Sequence, residues 1–445
     1  MNNLSRRDFL KTAALAGGTS TLATFNALAA PQRAKVKVTD IKVMILQGPR
    51  TYTLVKVLTD SGVYGIGEGY GSPGVGVKEG ILELRPYFIG KDPLDIEALY
   101  LGLGQRVDGS AHMLLRAVSG IEPALWDLSG KILDVSVATL LGGKMRTSVR
   151  MYHDEGPRNM MDKASCREWA DRMKASPAGW TAFKMGPQRG GGRGGDTVAG
   201  AGGAPGRGGA RGGGRTPGPG AAPEATQRTG LATRQLSTRE LIDIQQGFEN
   251  TREAIGWDYD IMFHGNWSFD LISAIKLAQA LEPVKPLWIE DPIPPDYSNA
   301  WTHLTSVSKV PILTGENLGR RQTWVDFFVN KGIHIGQLDV RNVGGLLEAK
   351  KIADLADLYL IPMCSHNSAS IVCNFAAVQW AASVRDFLAA ETMIGNGTWM
   401  DDVILHNGPI VKNSHITLPD KPGIGIELNP DVVKAHLAPG ESWWG

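Results

Sequence analysis

The chain has 445 residues, 42% of them hydrophobic, and a formal net charge of +1. This length and apolar content can bury large cores, which excludes a protein that is disordered as a whole and predicts two domains. The cysteines Cys166, Cys364 and Cys373 show no Cys-x-x-Cys spacing, so they predict neither a disulfide framework nor a zinc site.

The N-terminal segment has the pattern of a twin-arginine export signal. Arg6-Arg7 precede a weakly apolar run, and the small residues Ala27-Leu28-Ala29 follow as a cleavage site. We predict a signal peptide at residues 1–30 and export to the periplasm; the alternative is an ordinary basic amphipathic N-terminus. The apolar run is too short for a membrane anchor once cleaved. The leader carries a net charge of +2, so the mature chain is near −1 and no nucleic-acid partner is expected.

The next segment predicts an α+β domain over residues 36–147. Residues 36–60 alternate Val, Ile and Leu with polar residues, which is typical of antiparallel strands joined by a turn. Helical patterns follow to about residue 140, and Gly142-Gly143 ends the last of them.

Residues 148–430 predict a second domain, followed by a C-terminal tail at 431–445. Short apolar runs alternate with amphipathic helical stretches, which indicates parallel βα units. Residues with reactive side chains follow five successive strands at intervals of 26, 23, 27 and 25 residues: Glu290, Glu316, Asp339, His366 and Glu391. This spacing predicts an α/β fold with a (β/α)8, TIM-like barrel, because the strand ends of such a barrel converge at one mouth. An open doubly wound sheet would not gather five strand ends around one point.

A segment rich in glycine and arginine interrupts this rhythm at residues 188–235. It contains seven arginines and lacks a sizeable apolar core, so burial cannot offset the entropy of ordering it. We predict a disordered insertion, tolerated at the surface; weak binding to polyanions is the alternative. Ser237 with Glu240 forms a capping-box pattern that predicts the start of the next helix.

Two strand-end carboxylates predict a metal site. Glu290 in "WIEDP" and Glu316 in "LTGEN" end successive strands, and Mg²⁺ binds one or two carboxylates together with water and substrate oxygens. Asp291 follows Glu290 directly, so strand alternation predicts that it points to the other side and is structural.

The residues that end the next two strands predict a general base. Asp339 and His366 lie on neighbouring strands, and a carboxylate can fix the imidazole tautomer and raise its basicity. Lys184 ends the second strand inside an apolar run, so it is expected to face the same mouth. A cation and a histidine base at one mouth suit proton abstraction next to a carboxylate, with the ene-diolate stabilised by the metal.

The motifs resemble the mandelate racemase/muconate lactonizing branch of the enolase superfamily. The resemblance covers essentially residues 36–430 and is carried by "TDSGVYGIGEG" and "GIEPALWDLSGKILDVSVATLLGG", then "FKMGP", "WIEDP", "LTGEN", "LDVRNVGG", "MCSHN" and "AAET". It implies a Mg²⁺-dependent barrel, in which Mn²⁺ or another divalent ion could substitute, closed by an N-terminal α+β cap. Such barrels commonly form homo-oligomers.

The same resemblance implies roles for the site residues. Glu290 and Glu316 become metal ligands, Asp339 and His366 the dyad, and Glu391 the acid group near the substrate carboxylate. Racemases and lactonizing enzymes carry Lys-x-Lys at the second strand, whereas here the pattern is Lys184-Met185-Gly186. The missing second lysine argues against a two-base racemase.

The stretch "FHGNW" resembles sugar-acid dehydratases, especially those of the galactonate dehydratase type, in which an Asp-Phe-His-Gly run supplies a metal carboxylate and a general acid. His264 matches the acid, but Met262 replaces the carboxylate. The implied reaction is a β-elimination: His366 removes the proton at carbon 2, His264 protonates the departing 3-hydroxyl, and a 2-keto-3-deoxy acid results.

Met262 leaves three outcomes open for the metal. Glu290 and Glu316 could hold the ion without a third protein ligand. His264 could become the third ligand and lose its role as the acid. Or the site could have lost the ability to bind a metal. Asp260 lies about 6 to 7 Å deeper on the same face and is too far to substitute. The alternatives to a dehydratase are an epimerase or cycloisomerase acting on a carboxylate, and a non-catalytic barrel that binds carbohydrate or polyanions.

Overall fold

The structure is a computed structural model that describes residues 36–71, 76–104, 112–186, 234–395 and 397–444. The predicted signal peptide lies outside the described residues. So does the predicted insertion, except for its last two residues. After it, Ser237 and Glu240 form the expected capping box, with the Ser237 hydroxyl accepting a hydrogen bond from the Glu240 amide and the Glu240 carboxylate accepting one from the Ser237 amide.

The N-terminal cap is an antiparallel sheet of three strands packed on helices. Its strands are β1 (Val38–Gln47), β2 (Thr51–Thr59) and β3 (Tyr64–Gly69), in that spatial order. Its helices are α1 (Val77–Phe88), α2 (Ile96–Gly102), α3 (His112–Leu133) and α4 (Val137–Leu140). Helix α3 crosses β3 closely because Gly65 has no side chain: a Cβ there would lie 1.9 Å from the carbonyl oxygen of Ala124.

The second domain is a closed barrel of eight parallel strands, which confirms the predicted fold class. The strands follow one another around the barrel in chain order, and the last pairs with the first through the register of Glu391 with Tyr152. A short strand, β12 (His415–Thr417), adds to the outside of the first barrel strand in antiparallel sense. The barrel strands are β4 (Ser148–Asp154), β5 (Ala182–Met185), β6 (Asp260–His264), β7 (Ile289–Glu290), β8 (Ile312–Thr314), β9 (Ile335–Leu338), β10 (Met363–Ser365) and β11 (Phe387–Thr392).

Helices between and after these strands surround the barrel. Several begin at a side chain that accepts a hydrogen bond from the first turn, as Asp270 and Ser370 do. The helices are α5 (Lys163–Lys174), α6 (Thr238–Ile255), α7 (Leu271–Leu281), α8 (Asn299–Val307), α9 (Val325–Val329), α10 (Val340–Val343), α11 (Leu346–Leu358), α12 (Ile371–Ser383) and α13 (Pro430–Ala435), with 3-10 turns at Glu282–Val284, Arg321–Thr323 and Asp401–Val403. Within the described ranges, none of the helices has the length and apolar character needed to cross a bilayer.

The barrel interior contains a ring of eight buried, mostly apolar side chains. Each of the eight strands, or the residue just before it, contributes one member. This ring closes the barrel below the mouth and forms the floor of the site. Its members are Tyr152, Ala182, Met262, Trp288, Leu313, Ile335, Cys364 and Ala389.

Buried carboxylates of the cap attach it to the mouth side of the barrel. Glu68 of β3 accepts hydrogen bonds from the Ser370 amide at 3.0 Å and the Ser370 hydroxyl at 2.6 Å, at the start of α12. Glu122 of α3 accepts bonds from the amides of Leu346 and Leu347 at the start of α11. Both contacts satisfy free amides of a helix N-terminus, so they orient the cap over the ends of the barrel strands.

Candidate active site

The period of two along a strand builds a polar layer directly above the apolar ring. The residue two positions after each ring member has a polar side chain on seven of the eight strands. On the remaining strand, β8, this position is Gly315. Each strand therefore ends with one residue packing the floor and one facing the mouth. The polar residues are Asp154, Lys184, His264, Glu290, Gln337, His366 and Glu391.

The predicted dyad is present as a short contact. His366 Nδ1 lies 2.8 Å from Asp339 Oδ2. An ionised carboxylate can only accept, so Nδ1–H donates and leaves Nε2 without a proton in the neutral imidazole. Arg341 Nε donates to Asp339 Oδ1 at 3.0 Å, and Arg341 Nη2 donates to Oδ2 at 2.5 Å. This fork holds the carboxylate that in turn holds the imidazole.

The charges around the dyad determine its protonation. Burial disfavours an ionised Asp339, but Arg341 and His366 hold the pKa of Asp339 well below its usual range. Burial likewise disfavours a charged His366, yet Glu316 and Glu391 raise the pKa of this imidazole to about 9. A cation bound beside Glu316 would offset that carboxylate and favour the neutral imidazole, which is the form a base requires.

Lys184 connects the two sides of the mouth. Its Nζ lies 2.9 Å from Glu290 Oε1 and 2.8 Å from Glu391 Oε1, and the side chain is 2% exposed. Burial opposes its charge, but Glu290 and Glu391 raise the pKa of Lys184 well above its usual value. Lys184 is therefore a fixed cation that positions two carboxylates, and it is unsuited to act as a base.

Four residues converge at the other side of the mouth: His264, Glu290, Asp291 and Glu316. His264 Nε2 lies 3.8 Å from Glu290 Oε1, 3.6 Å from Asp291 Oδ2 and 4.0 Å from Glu316 Oε2. Burial opposes protonation of His264, but Glu290 raises the pKa of the imidazole to about 9. Burial raises the pKa of Glu316 to about 7, despite the opposing charge of His366.

The prediction that the Asp291 side chain points away from the mouth is wrong. Strand β7 ends at Glu290, and Asp291 adopts the left-handed conformation with φ of 47°. The alternation of side chains stops where the strand stops, so the Asp291 carboxylate turns into the same mouth as Glu290. Asp260 lies at the opposite end of β6, where its Oδ2 is 2.7 Å from Arg150 Nη2, in agreement with its predicted depth.

The residues present fit a divalent ion. Three atoms of the cluster are buried and have no hydrogen-bond partner in the part of the chain that the structure describes: His264 Nε2, Asp291 Oδ2 and Glu316 Oε2. Buried polar atoms without partners are costly, and convergent carboxylates repel one another unless a cation lies among them. Carboxylate oxygens are the donors that Mg²⁺ and Mn²⁺ prefer. Met262 lies below this cluster as a fully buried member of the apolar ring.

Four site residues were missed from the sequence: Asp154, Arg341, Gln337 and Tyr152. Gln337 Nε2 donates to the Tyr152 hydroxyl at 2.7 Å, and that hydroxyl lies 3.4 Å from Glu391 Oε2. For Arg341 a signal existed, because a basic residue two positions after a strand-end aspartate can bend back onto its carboxylate. Gln337 precedes Asp339 by one strand period and could also have been found.

Comparison with known families matches nearly the whole chain. The family described as "Enolase C-terminal domain-like" matches residues 166–432, and the "Mandelate racemase / muconate lactonizing enzyme, N-terminal domain" matches residues 34–142. Among solved structures, a mandelate racemase/muconate lactonizing enzyme-like protein from Rubrobacter xylanophilus is 28% identical with a TM-score of 0.77, over 92% of this chain and 99% of that one.

Curated relatives of similar length include several dehydratases. The D-xylonate dehydratase of Haloferax volcanii is 32% identical over 410 residues, which is 91% of this chain and 90% of that protein. The D-galactonate dehydratase of Pectobacterium atrosepticum is 25% identical over 90% of this chain and 95% of its own length.

Proposed function

The chain belongs to the enolase superfamily, in its mandelate racemase/muconate lactonizing branch, and from this premise we propose that it is a metal-dependent dehydratase of a sugar acid. The reaction is a carbon–oxygen lyase reaction that removes water across carbons 2 and 3 and yields a 2-keto-3-deoxy acid. The relatives named D-xylonate, D-galactonate and D-mannonate dehydratase support an aldonate as the substrate class.

One observation carries this proposal: two histidines from different strands face one carboxylate. His366 Nε2 lies 3.5 Å from Glu316 Oε2, and His264 Nε2 lies 4.0 Å from the same oxygen. A β-elimination needs one group to take a proton from carbon 2 and a second to give a proton to the leaving hydroxyl. Two imidazoles on separate strands supply these two functions at one mouth.

The steps follow from the surroundings of each side chain. Asp339, held by Arg341, keeps the Nδ1–H of His366 in place, so Nε2 is the atom that takes the carbon-2 proton. As the bond between carbon 3 and its hydroxyl oxygen breaks, His264 gives a proton and the hydroxyl leaves as water. The remaining enol becomes the 2-keto acid by taking a proton at carbon 3. Lys184 keeps Glu391 and Glu290 apart and oriented throughout.

A divalent ion held by the carboxylates beside His264 would supply positive charge against the negative charge that develops on the substrate carboxylate. We propose Mg²⁺ as the physiological ion, with Mn²⁺ able to replace it, because the donor set is dominated by carboxylate oxygens.

The alternatives have less support. An epimerase acting by two bases needs a second base opposite His366, and Lys184 is bound to two carboxylates. A cycloisomerase activity is supported by one similar solved structure, the 3,6-anhydro-D-galactonate cycloisomerase of Zobellia galactanivorans, which is 25% identical to this chain with a TM-score of 0.71. A non-catalytic barrel would not need the oriented pair of His366 and Asp339 beside a group of convergent carboxylates.

The test is incubation of metal-loaded protein with a panel of aldonates that includes D-xylonate, D-galactonate and D-mannonate, in deuterated water. A 2-keto-3-deoxy product supports the proposal. Deuterium at carbon 2 without elimination would favour an epimerase instead, and no reaction with any aldonate would contradict the proposed substrate class.

We also propose that the protein is exported through the twin-arginine route and works as a homo-oligomer. The export proposal rests on Arg6-Arg7 and the small residues at 27–29. It is tested by fractionating cells that produce the full chain or its Arg6→Lys/Arg7→Lys variant, which is expected to stay in the cytoplasm. Light scattering of the purified protein tests the oligomer.

A further inference from the structure

The cluster around His264 contains one carboxylate more than the two that the motifs predict as ligands. Glu290 ends β7 and Glu316 lies two residues beyond β8, at the positions where the family pattern expects ligands, whereas Met262 offers no oxygen. Asp291 is completely buried, and its Oδ2 lies 3.6 Å from His264 Nε2. The carboxylate that is absent from β6 thus has a counterpart one strand further around the barrel.

The two oxygens of Asp291 have different surroundings. Oδ1 accepts a hydrogen bond from the hydroxyl of Thr314, a fully buried residue at the end of β8. Oδ2 is buried and has no hydrogen-bond partner among the described residues. One oxygen therefore orients the carboxylate, and the other is directed into the cluster, where His264 Nε2 lies 3.6 Å away, beyond hydrogen-bond distance. A buried, ionisable oxygen in this state indicates a ligand that completes its coordination.

The backbone at this position supports the same conclusion. Asp291 is a non-glycine residue with positive φ, a conformation that disfavours most side chains, and it is followed by Pro292. This strain is what turns the Asp291 side chain toward the mouth, and such strain is typical of functional sites.

The position of Met262 explains why the loss of a strand carboxylate is tolerated. Its side chain is 0% exposed and packs in the apolar ring with Trp288 and Leu313. The thioether fills the space among these neighbours without a need for hydrogen bonds.

We propose that Asp291 supplies the third carboxylate ligand of the divalent ion in place of the strand carboxylate lost at Met262, and that His264 stays outside the coordination shell. Three carboxylates, Glu290, Asp291 and Glu316, form an all-oxygen set that suits a hard cation without an imidazole. His264 then keeps its Nε2 for proton donation. The inference rests on the proposed function only in taking the divalent ion as part of the site.

The test measures Mn²⁺ binding, without reference to activity, by isothermal titration of the full chain and its Asp291→Asn variant. Asn keeps the shape and can still bond to Thr314, but it removes the charge. Mn²⁺ affinity is expected to fall at least about 100-fold, since loss of outer-shell partners alone costs roughly 10- to 100-fold. The control is Asp296→Asn, the same substitution at an exposed residue of the same loop, which should bind as the unaltered protein does. Equal affinity in Asp291→Asn overturns the proposal.

A second measurement needs no variant, and so remains decisive if Asp291→Asn does not fold. Electron spin-echo envelope modulation of the Mn²⁺-loaded protein detects directly bound imidazole nitrogen. The proposal expects no such nitrogen signal, and a strong one would overturn it by showing an imidazole in the coordination shell. Assays of aldonate dehydration separate the two proposals. If the protein dehydrates an aldonate but Asp291→Asn binds Mn²⁺ as tightly as the unaltered protein, only the assignment of Asp291 as a ligand is wrong. If Mn²⁺ binding depends on Asp291 but no aldonate is dehydrated, only the proposed function is wrong.

Discussion

The two histidines at the barrel mouth are held in different ways. His366 Nδ1 lies 2.8 Å from Asp339 Oδ2, and the same carboxylate accepts hydrogen bonds from Arg341. His264 has three carboxylate oxygens at 3.6 to 4.0 Å from Nε2, and no described residue makes a hydrogen bond to that nitrogen. Directional bonds fix the orientation of a ring, whereas surrounding charge fixes only its protonation. The His366 imidazole is therefore oriented to receive a proton along a defined direction, and the His264 imidazole is placed to hold a proton for the leaving group.

Removal of divalent ions should have the largest effect, because it acts on both sides of this comparison. Dialysis against a chelator is expected to reduce dehydration to background, since the developing negative charge loses its counter-charge. Adding Mg²⁺ or Mn²⁺ should restore the rate and raise the melting temperature, because ligands that bind only the native state stabilise it. Full activity in protein shown by mass spectrometry to be free of metal would contradict the metal-dependent mechanism.

His366→Asn should come next, because it removes the group that starts the reaction. A general base contributes about 100- to 10,000-fold, so we expect kcat to fall by that factor. Exchange of the carbon-2 proton with deuterated water, followed by NMR, should be lost together with elimination. The Mn²⁺ affinity serves as the control and should persist. A fully active variant would refute the assignment of the base.

His264→Asn should separate the two histidines. Elimination is expected to slow by about 100- to 10,000-fold, because the hydroxyl leaves without a proton donor. Deuterium exchange at carbon 2 should continue, since His366 and Asp339 remain. If deuterium exchange at carbon 2 and elimination both slow in this variant, the two imidazoles do not have separate roles.

Arg341→Lys should have the smallest effect, because it loosens the orientation of His366 without removing it. Lysine keeps the charge but loses the fork that binds both oxygens of Asp339. We expect kcat to fall about 10-fold, as for other outer partners of a functional histidine, with a smaller change in KM. The exposed Arg239→Lys is the matched control. An unchanged kcat and pH profile in Arg341→Lys would show that Asp339 needs no second support.

Much of the architecture could be predicted from spacing. Glu290, Glu316, Asp339, His366 and Glu391 recur about once per βα unit, and the strand ends of a closed parallel barrel all point to one mouth. The closed barrel and the contact between His366 and Asp339 agree with that reasoning, because regular elements obey simple periods. Lys184 also faces the mouth, as expected from its place in an apolar run.

The errors arise where regular structure ends. Alternation assigned Asp291 to the far side of its strand, but the strand stops one residue earlier and the backbone turns to positive φ. Arg341 lies in the short helix after β9, where no strand period predicts the direction of its side chain. A local period can predict a side chain's direction only while the backbone keeps that period.

The barrel, the cap and the family could be predicted from the sequence, since these depend on patterns repeated over many residues. Met262 marked a departure from the family pattern, but the sequence left its consequence open. The three-dimensional packing places Met262 in the floor of the barrel and directs the Asp291 carboxylate toward His264. The physical reason is that ligands of one ion come from separate strands, so their convergence depends on backbone turns and packing that no single segment encodes.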